Sequence, residues 1–192
     1  MCGITGFINR DGEHISSKIL ENMADAISHR GPDGEGYWIN ENIGFGHRRL
    51  AIIDLTESGH QPMISKDKRF VLIYNGEIYN YKEIRNELEN LGFEFNGDSD
   101  TEVLLYSLIQ WKEKALLKFN GMFSFAFWDD NKKSLLLARD RYGIKPLYYL
   151  IQEDLFIFAS EQKSIISHPK FYKKLNKKAL VEYFTFQNIF TD

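Results

Sequence analysis

The second half of this chain holds four short apolar segments, at residues 122–128, 134–138, 147–151 and 155–159, joined by polar turns. Segments of this length, rich in Phe, Leu, Ile and Tyr, read as antiparallel strands linked by hairpins. Aromatic residues make up 15% of the 192 residues, which fits a large β content. Earlier in the chain, strands are expected at 4–9, 36–39, 43–48, 50–53 and 69–74. A turn at Asp11-Gly12 separates the first of these from a helix over 16–28, whose inner face is Ile19, Leu20, Met23, Ala24 and Ile27. That helix should stop near His29, because Arg30-Gly31-Pro32-Asp33-Gly34 is breaker sequence throughout. Asn80 is placed to cap a helix with Tyr81, Ile84, Leu88 and Leu91 inward and Gly92 at its end. A further helix starts near Ser99 or Asp100 and turns Val103, Leu104, Ser107, Leu108 and Trp111 inward. Helical periodicity returns at 161–167 and 177–184. Central helices among hairpin strands predict an α+β protein of antiparallel sheets covered by helices.

A chain of 192 residues is about one domain at ~150 residues each, and buries roughly 70% of its unfolded surface. Its 24 basic and 27 acidic side chains leave a net charge of −3 with no one-signed block. That balance excludes a dedicated nucleic-acid or membrane-surface binder. Apolar runs such as 70–74 and 135–138 fall far short of the ~20 residues of a membrane span. The N-terminus has no basic segment and no continuous apolar segment of a secretory signal, and the expected compartment is the cytoplasm. One cysteine excludes an internal disulfide framework and a cysteine-based zinc cluster.

That one cysteine is Cys2. If Met1 is removed, one residue carries both a nucleophile and a base. A free α-amine titrates near ~7.7–8.0 and is partly neutral at neutral pH, so it can take the thiol proton directly or through water. Gly3 allows close approach, and a strand from Ile4 anchors the terminus.

Five further segments sharpen the reading: Arg30-Gly31-Pro32-Asp33, Gly46-His47-Arg48-Arg49-Leu50-Ala51-Ile52-Ile53-Asp54, Asn75-Gly76-Glu77-Ile78-Tyr79-Asn80, Gly97-Asp98-Ser99-Asp100-Thr101-Glu102, and Ala138-Arg139-Asp140-Arg141-Tyr142-Gly143-Ile144-Lys145-Pro146-Leu147-Tyr148-Tyr149. With Met1-Cys2-Gly3-Ile4 they resemble, in order and spacing, the class II glutamine amidotransferases, and most of all the glutaminase domain of glutamine-hydrolysing asparagine synthetases. The resemblance runs from Cys2 to about Ile166. It implies the N-terminal nucleophile hydrolase fold, a four-layer αββα sandwich of antiparallel sheets.

The resemblance also implies roles. Cys2 would attack the side-chain amide of L-glutamine, with Asn75 (side-chain amide) and Gly76 (backbone N–H) as the oxyanion hole. Arg49 would clamp the substrate α-carboxylate through a planar fork. Asp100 and Glu77 would hold the α-ammonium, and Ile53 would line the substrate site. Other readings stand beside these. Asn-Gly is also a hairpin-turn dipeptide, although a helix follows it here. Asp100 could cap a helix, and Arg49 could form a buried ion pair. Arg48 reads as a solvated surface charge, His29 and His47 as packing or hydrogen-bonding residues, and Arg30 with Asp33 as a brace for the loop beside the nucleophile. The segment around Asp140 and Gly143 reads as a rigid turn.

Asparagine synthetases carry a second domain that uses ATP and magnesium, marked by a Ser-Gly-Gly-x-Asp-Ser loop; neither that loop nor a Gly-x-x-x-x-Gly-Lys loop occurs here. Residues 1–192 are therefore expected to be an N-terminal glutaminase domain with no cofactor of its own, residues 168–192 leading toward a C-terminal synthetase domain. A homodimer is compatible with this organisation. Two competing readings are the same glutaminase feeding another acceptor, such as a sugar or uronic acid, and a non-catalytic docking module. Glucosamine-phosphate and phosphoribosyl-amine synthases fit less well, because their His-Thr-Arg reads His47-Arg48-Arg49 here.

Overall fold

The computed structural model describes residues 1–50 and 59–190. Its first sheet has the order β2-β3-β1-β9-β8, with β1 (Gly3–Asn9) at the centre, flanked by β3 (Ile43–Arg49) and β9 (Leu155–Ala159), and β2 (Gly34–Asn40) and β8 (Tyr148–Gln152) at the edges. The second has the order β4-β5-β6-β7, from β4 (Met63–Ile64), β5 (Phe70–Ile78), β6 (Gly121–Asp129) and β7 (Ser134–Arg139). Every pairing is antiparallel.

Alternation along the strands builds three apolar layers. Between the sheets, Ile4, Ile43, Phe45 and Phe158 meet Val71, Ile73, Ala126 and Trp128. On the outer face of the first sheet, Phe7, Leu155, Ile157 and Ala159 pack on Leu20 and Met23 of α1 (Ser17–Asp25) and on Ile165 of α4 (Gln162–Ile166). On the outer face of the second, Leu72, Tyr74, Ile78, Phe123, Phe125 and Phe127 pack on α2 (Tyr81–Asn90) and α3 (Asp100–Trp111). Both faces of the central strands are covered, which is why their sequences are apolar with little polar alternation. The result is the αββα sandwich. In β3, Gly46 stands where a Cβ would lie 3.1 Å from Thr5 Cγ2 and 3.4 Å from Ala24 Cβ, so its bare backbone lets α1 lie close on the sheet.

Several local expectations change. The 69–74 strand extends to Ile78, so Asn75 and Gly76 lie inside β5, registered with Ser124 and Phe123, and are no turn. The first helix ends at Asp25 and gives way to a 3-10 turn at Ser28–Arg30. Two elements had no periodic signal: the two-residue β4 and a 3-10 turn at Lys112–Leu117. Asn80 does not cap α2 with its side chain; its amide instead donates to Lys118 O at 2.9 Å and accepts from Asn120 N at 3.0 Å. Leu91, the residue that follows α2, is 54% exposed instead of inward, and Phe93 N donates to Leu88 O beyond left-handed Gly92. Of the expected strand 50–53, Leu50 lies beyond the end of β3 and the rest lies outside the described residues. The C-terminal helix α5 (Lys177–Phe186) buries none of its residues.

Candidate active site

Cys2 precedes the first residue of the central strand and is held by its neighbours on both sides. Ile4 exchanges two bonds with Ser160 after β9, its N–H donating to Ser160 Oγ at 3.0 Å and its carbonyl accepting Ser160 N–H at 2.8 Å. Arg30 Nε donates to Cys2 O at 3.0 Å. The half-buried thiol itself contacts the Leu50 backbone, accepting its N–H at 3.4 Å and pointing to its carbonyl at 3.6 Å. Arg30 is braced in turn: its Nη1 donates to Glu161 Oε1 at 2.8 Å, and Glu161 also takes His29 Nε2 at 2.9 Å and Lys163 Nζ at 3.1 Å. Partial burial pushes the Glu161 carboxyl up, but the hydrogen bonds from Arg30, Lys163 and His29 outweigh it and hold the pKa at about 2.

A pocket opens beside the thiol, lined by Cys2, Arg49, Asn75, Gly76, Glu77 and Asp100, with Met1, Leu50, Gly59, Gln61, Tyr74, Ser99, Thr101, Met122 and Lys145. Strand β5 contributes four neighbouring residues to the wall, Tyr74 to Glu77, and its hydrogen-bond parity explains how. Phe123 spends its N–H and carbonyl on Asp140, away from β5, so its partner Gly76 is a non-hydrogen-bonded pair. The even residues of β5 therefore turn their N–H groups to the open edge. Tyr74 N donates there to Gln61 Oε1 at 2.6 Å, and Ile78 N to Asp100 Oδ2 at 3.0 Å. Gly76 N–H faces the same edge between them. A Cβ at Gly76 would overlap the Met122 carbonyl and the Phe123 Cα, so only glycine fits. The side chain of Asn75 is buried, and its Nδ2 has no hydrogen-bond partner among the described residues. A buried donor left open costs roughly 1–3 kcal/mol, a cost that a bound acceptor would remove.

Asp100 stands at the first turn of α3, but the cap of that helix is Ser99, whose Oγ accepts Thr101 N–H at 3.1 Å. This leaves the Asp100 carboxylate for the pocket, where Oδ2 accepts Tyr74 OH at 2.8 Å as well as Ile78 N–H. Burial raises the Asp100 pKa, the two donors partly offset it, and neighbouring Glu77 adds to the rise. Burial and the same carboxylate push the Tyr74 phenol well above its usual range.

Arg49 ends β3, one residue past the Gly3–Arg48 pair, which brings it level with Cys2. Arg48 is no solvated charge: it is only 12% exposed and forms ion pairs with Asp25 and Glu35, and its Nε donates to Ala24 O at 3.3 Å. His47 is buried between the sheets, and its Nε2 donates to Tyr74 O at 3.3 Å. Burial lowers its pKa to about 3, the carbonyl opposing and His60 and Arg49 adding, so the ring is neutral. Asp33 N donates to Arg49 O at 3.0 Å. Ile53 lies outside the described residues. The pocket residues that sequence reading missed include Gln61, Tyr74 and Lys145; for Lys145 the signal was its motif, read only as a turn. Asp140 does organise that turn, accepting the N–H groups of Phe123, Tyr142, Ile144 and Lys145.

Two antiparallel sheets between helical layers, with a cysteine leading the central strand into a pocket, have the fold of the N-terminal nucleophile hydrolases. The chain belongs to the glutamine amidotransferase domain family, whose model matches residues 1–192. It is 42% identical over 187 residues to asparagine synthetase [glutamine-hydrolyzing] 3 of Bacillus subtilis, covering 96% of this chain and 30% of that one. It is 46% identical over 190 residues to asparagine synthetase [glutamine-hydrolyzing] 1 of the same organism, covering 97% and 30%. The chain thus spans about 30% of the length of these curated relatives. Among solved structures, glutamine phosphoribosylpyrophosphate amidotransferase from B. subtilis, complexed with ADP and GMP, aligns with a TM-score of 0.74 over 86% of this chain and 43% of that one. At 22% identity that likeness speaks for the fold alone.

Proposed function

We propose that this domain hydrolyses L-glutamine to glutamate and ammonia through a Cys2 thioester. The observation that carries the reading is that Cys2, Arg49, Asn75, Gly76, Glu77 and Asp100 line one pocket. Removal of Met1 frees the α-amine of Cys2, which takes the thiol proton. The sulfur adds to the δ-carbonyl carbon, and the C=O electron pair moves onto oxygen. Asn75 Nδ2–H and Gly76 N–H receive that oxyanion; one such donor is worth roughly 10²–10³ in rate. Collapse breaks the C–N bond, the nitrogen takes the proton from the α-amine, and ammonia leaves. Water then adds to the thioester, giving its proton to the amine; the C–S bond breaks and the proton returns to sulfur. Arg49 binds the α-carboxylate, and Asp100 with Glu77 binds the α-ammonium, which together select a free amino acid over a peptide amide.

In this reading the ammonia serves an ATP- and magnesium-dependent amidation in a C-terminal synthetase domain, toward which residues 168–192 lead, and the enzyme works in the cytoplasm. Among the described residues, no helix is long and apolar enough to cross a membrane, and no group of three or more His, Cys, Asp or Glu is placed to hold a metal. The test is intact-mass spectrometry before and after 6-diazo-5-oxo-norleucine. The expected result is a mass lacking Met1 and a single adduct on Cys2, with Cys2→Ala inert to the reagent and without glutaminase turnover. A Met1-free chain that takes up no adduct would overturn the reading in favour of a docking module.

A further inference from the structure

The pocket carries one more cation than a free amino acid uses. Glutamine offers one carboxylate, answered by Arg49, and one ammonium, answered by Asp100 and Glu77. Lys145 lies on the same wall, only 7% exposed. Its backbone is locked from both sides, the N–H donating to Asp140 Oδ2 at 2.9 Å and the carbonyl accepting Arg139 Nε at 2.8 Å. Asp140 also takes the N–H of Phe123, the residue registered opposite Gly76. A chain of direct contacts thus ties Lys145 to the oxyanion-donor end of the pocket, away from the Asp100 end.

Among the described residues the ammonium has no partner. Asp140, the adjacent carboxylate, already accepts four backbone N–H groups. Among the described residues no carboxylate lies within 4.0 Å of Lys145 Nζ, and no hydrogen bond to it is formed. A cation on the pocket wall without a counter-charge is available to an anion that arises in the same pocket.

We propose that Lys145 supplies the positive charge that faces the anion formed at Cys2: the thiolate, and then the oxygen that takes the C=O electron pair when the sulfur adds. The second half of this statement rests on the glutaminase reading; the first does not. Lys145 would then act on the reacting atoms, whereas Arg49 acts on the far end of the substrate.

The test separates the two. On the Met1-free protein, Cys2 is alkylated with iodoacetate, which is anionic, and with iodoacetamide, which is neutral. Lys145→Met is expected to slow iodoacetate about tenfold relative to iodoacetamide, the size of one close charge interaction, while Lys145→Arg keeps the wild-type ratio. Glutamine kcat should fall in Lys145→Met by a similar factor with KM little changed. Both reagents should also slow together as the thiolate loses its counter-charge; rates and ratio unchanged from wild type would overturn the proposal whether or not the protein turns over glutamine. Should Lys145→Met not fold, Lys145→Gln read by the same ratio decides.

Discussion

The Tyr74 hydroxyl donates to Asp100 Oδ2 at 2.8 Å, joining the helix-covered face of β5 to the first turn of α3. The contact serves a carboxylate in a difficult position. Burial raises the Asp100 pKa, and Tyr74 OH and Ile78 N–H counter it by bonding to the charged form. Asp100 can hold a substrate ammonium only while ionised. Tyr74→Phe removes one donor, so the pKa should rise further. The acid limb of the kcat/KM profile for glutamine should move to higher pH, with kcat at alkaline plateau retained. A limb that stays in place would show that Tyr74 contributes shape alone.

How much of this was legible beforehand follows from the range of each interaction. The helices announce themselves through a period of 3.6 and the strands through short apolar runs between polar turns, because both signals are local in sequence. Cys2, Arg49, Asn75, Gly76, Glu77 and Asp100 are singled out by the resemblance of their segments to the glutamine amidotransferase family, not by periodicity. What stayed hidden depends on partners far apart in sequence. Arg48 looks solvated until α1 and β2 bring Asp25 and Glu35 to it. Asn80 looks like a cap until Lys118 and Asn120 claim its amide. Tyr74 enters the site through strand parity, and Gln61 by completing an open sheet edge at a distance of 13 residues.

His47 makes the fold acid-sensitive. Its pKa is about 3 in the folded protein, against an ordinary 6.5, so below 6.5 the unfolded chain binds a proton that the native state refuses. The stability it allows is complete above pH 6.5 and is lost progressively as pH falls toward 3. Urea midpoints should therefore decline over that window, and His47→Gln, which keeps a donor for Tyr74 O, should flatten the decline. Parallel curves for the two proteins would contradict this.

Glu161 has the same direction in a lower window. Its folded pKa of about 2 lies below the ordinary 4.5, so its contribution is present above 4.5 and disappears as pH falls through 2. His29 and Lys163 are half-exposed, and solvent screening reduces the cluster to about 1 kcal/mol. Glu161→Gln should lower the urea midpoint modestly at pH 7 and leave it unchanged near pH 2. Because Arg30 links Glu161 to the Cys2 carbonyl, the variant should also slow turnover more than it alters KM.

Asn75 separates stability from catalysis most sharply. Its Nδ2 is buried and unpartnered among the described residues, so the folded protein gains nothing from that donor in the absence of a ligand. Asn75→Ala removes an unsatisfied polar group and leaves a small cavity, two effects of opposite sign and each of about 1–3 kcal/mol. The urea midpoint should thus move little. Turnover should fall by roughly 10²–10³, because the group's worth lies in a negative charge that exists only during reaction. A variant that loses stability in proportion to activity would mean that Asn75 holds the strand, and the oxyanion would then rest on Gly76 N–H and Lys145.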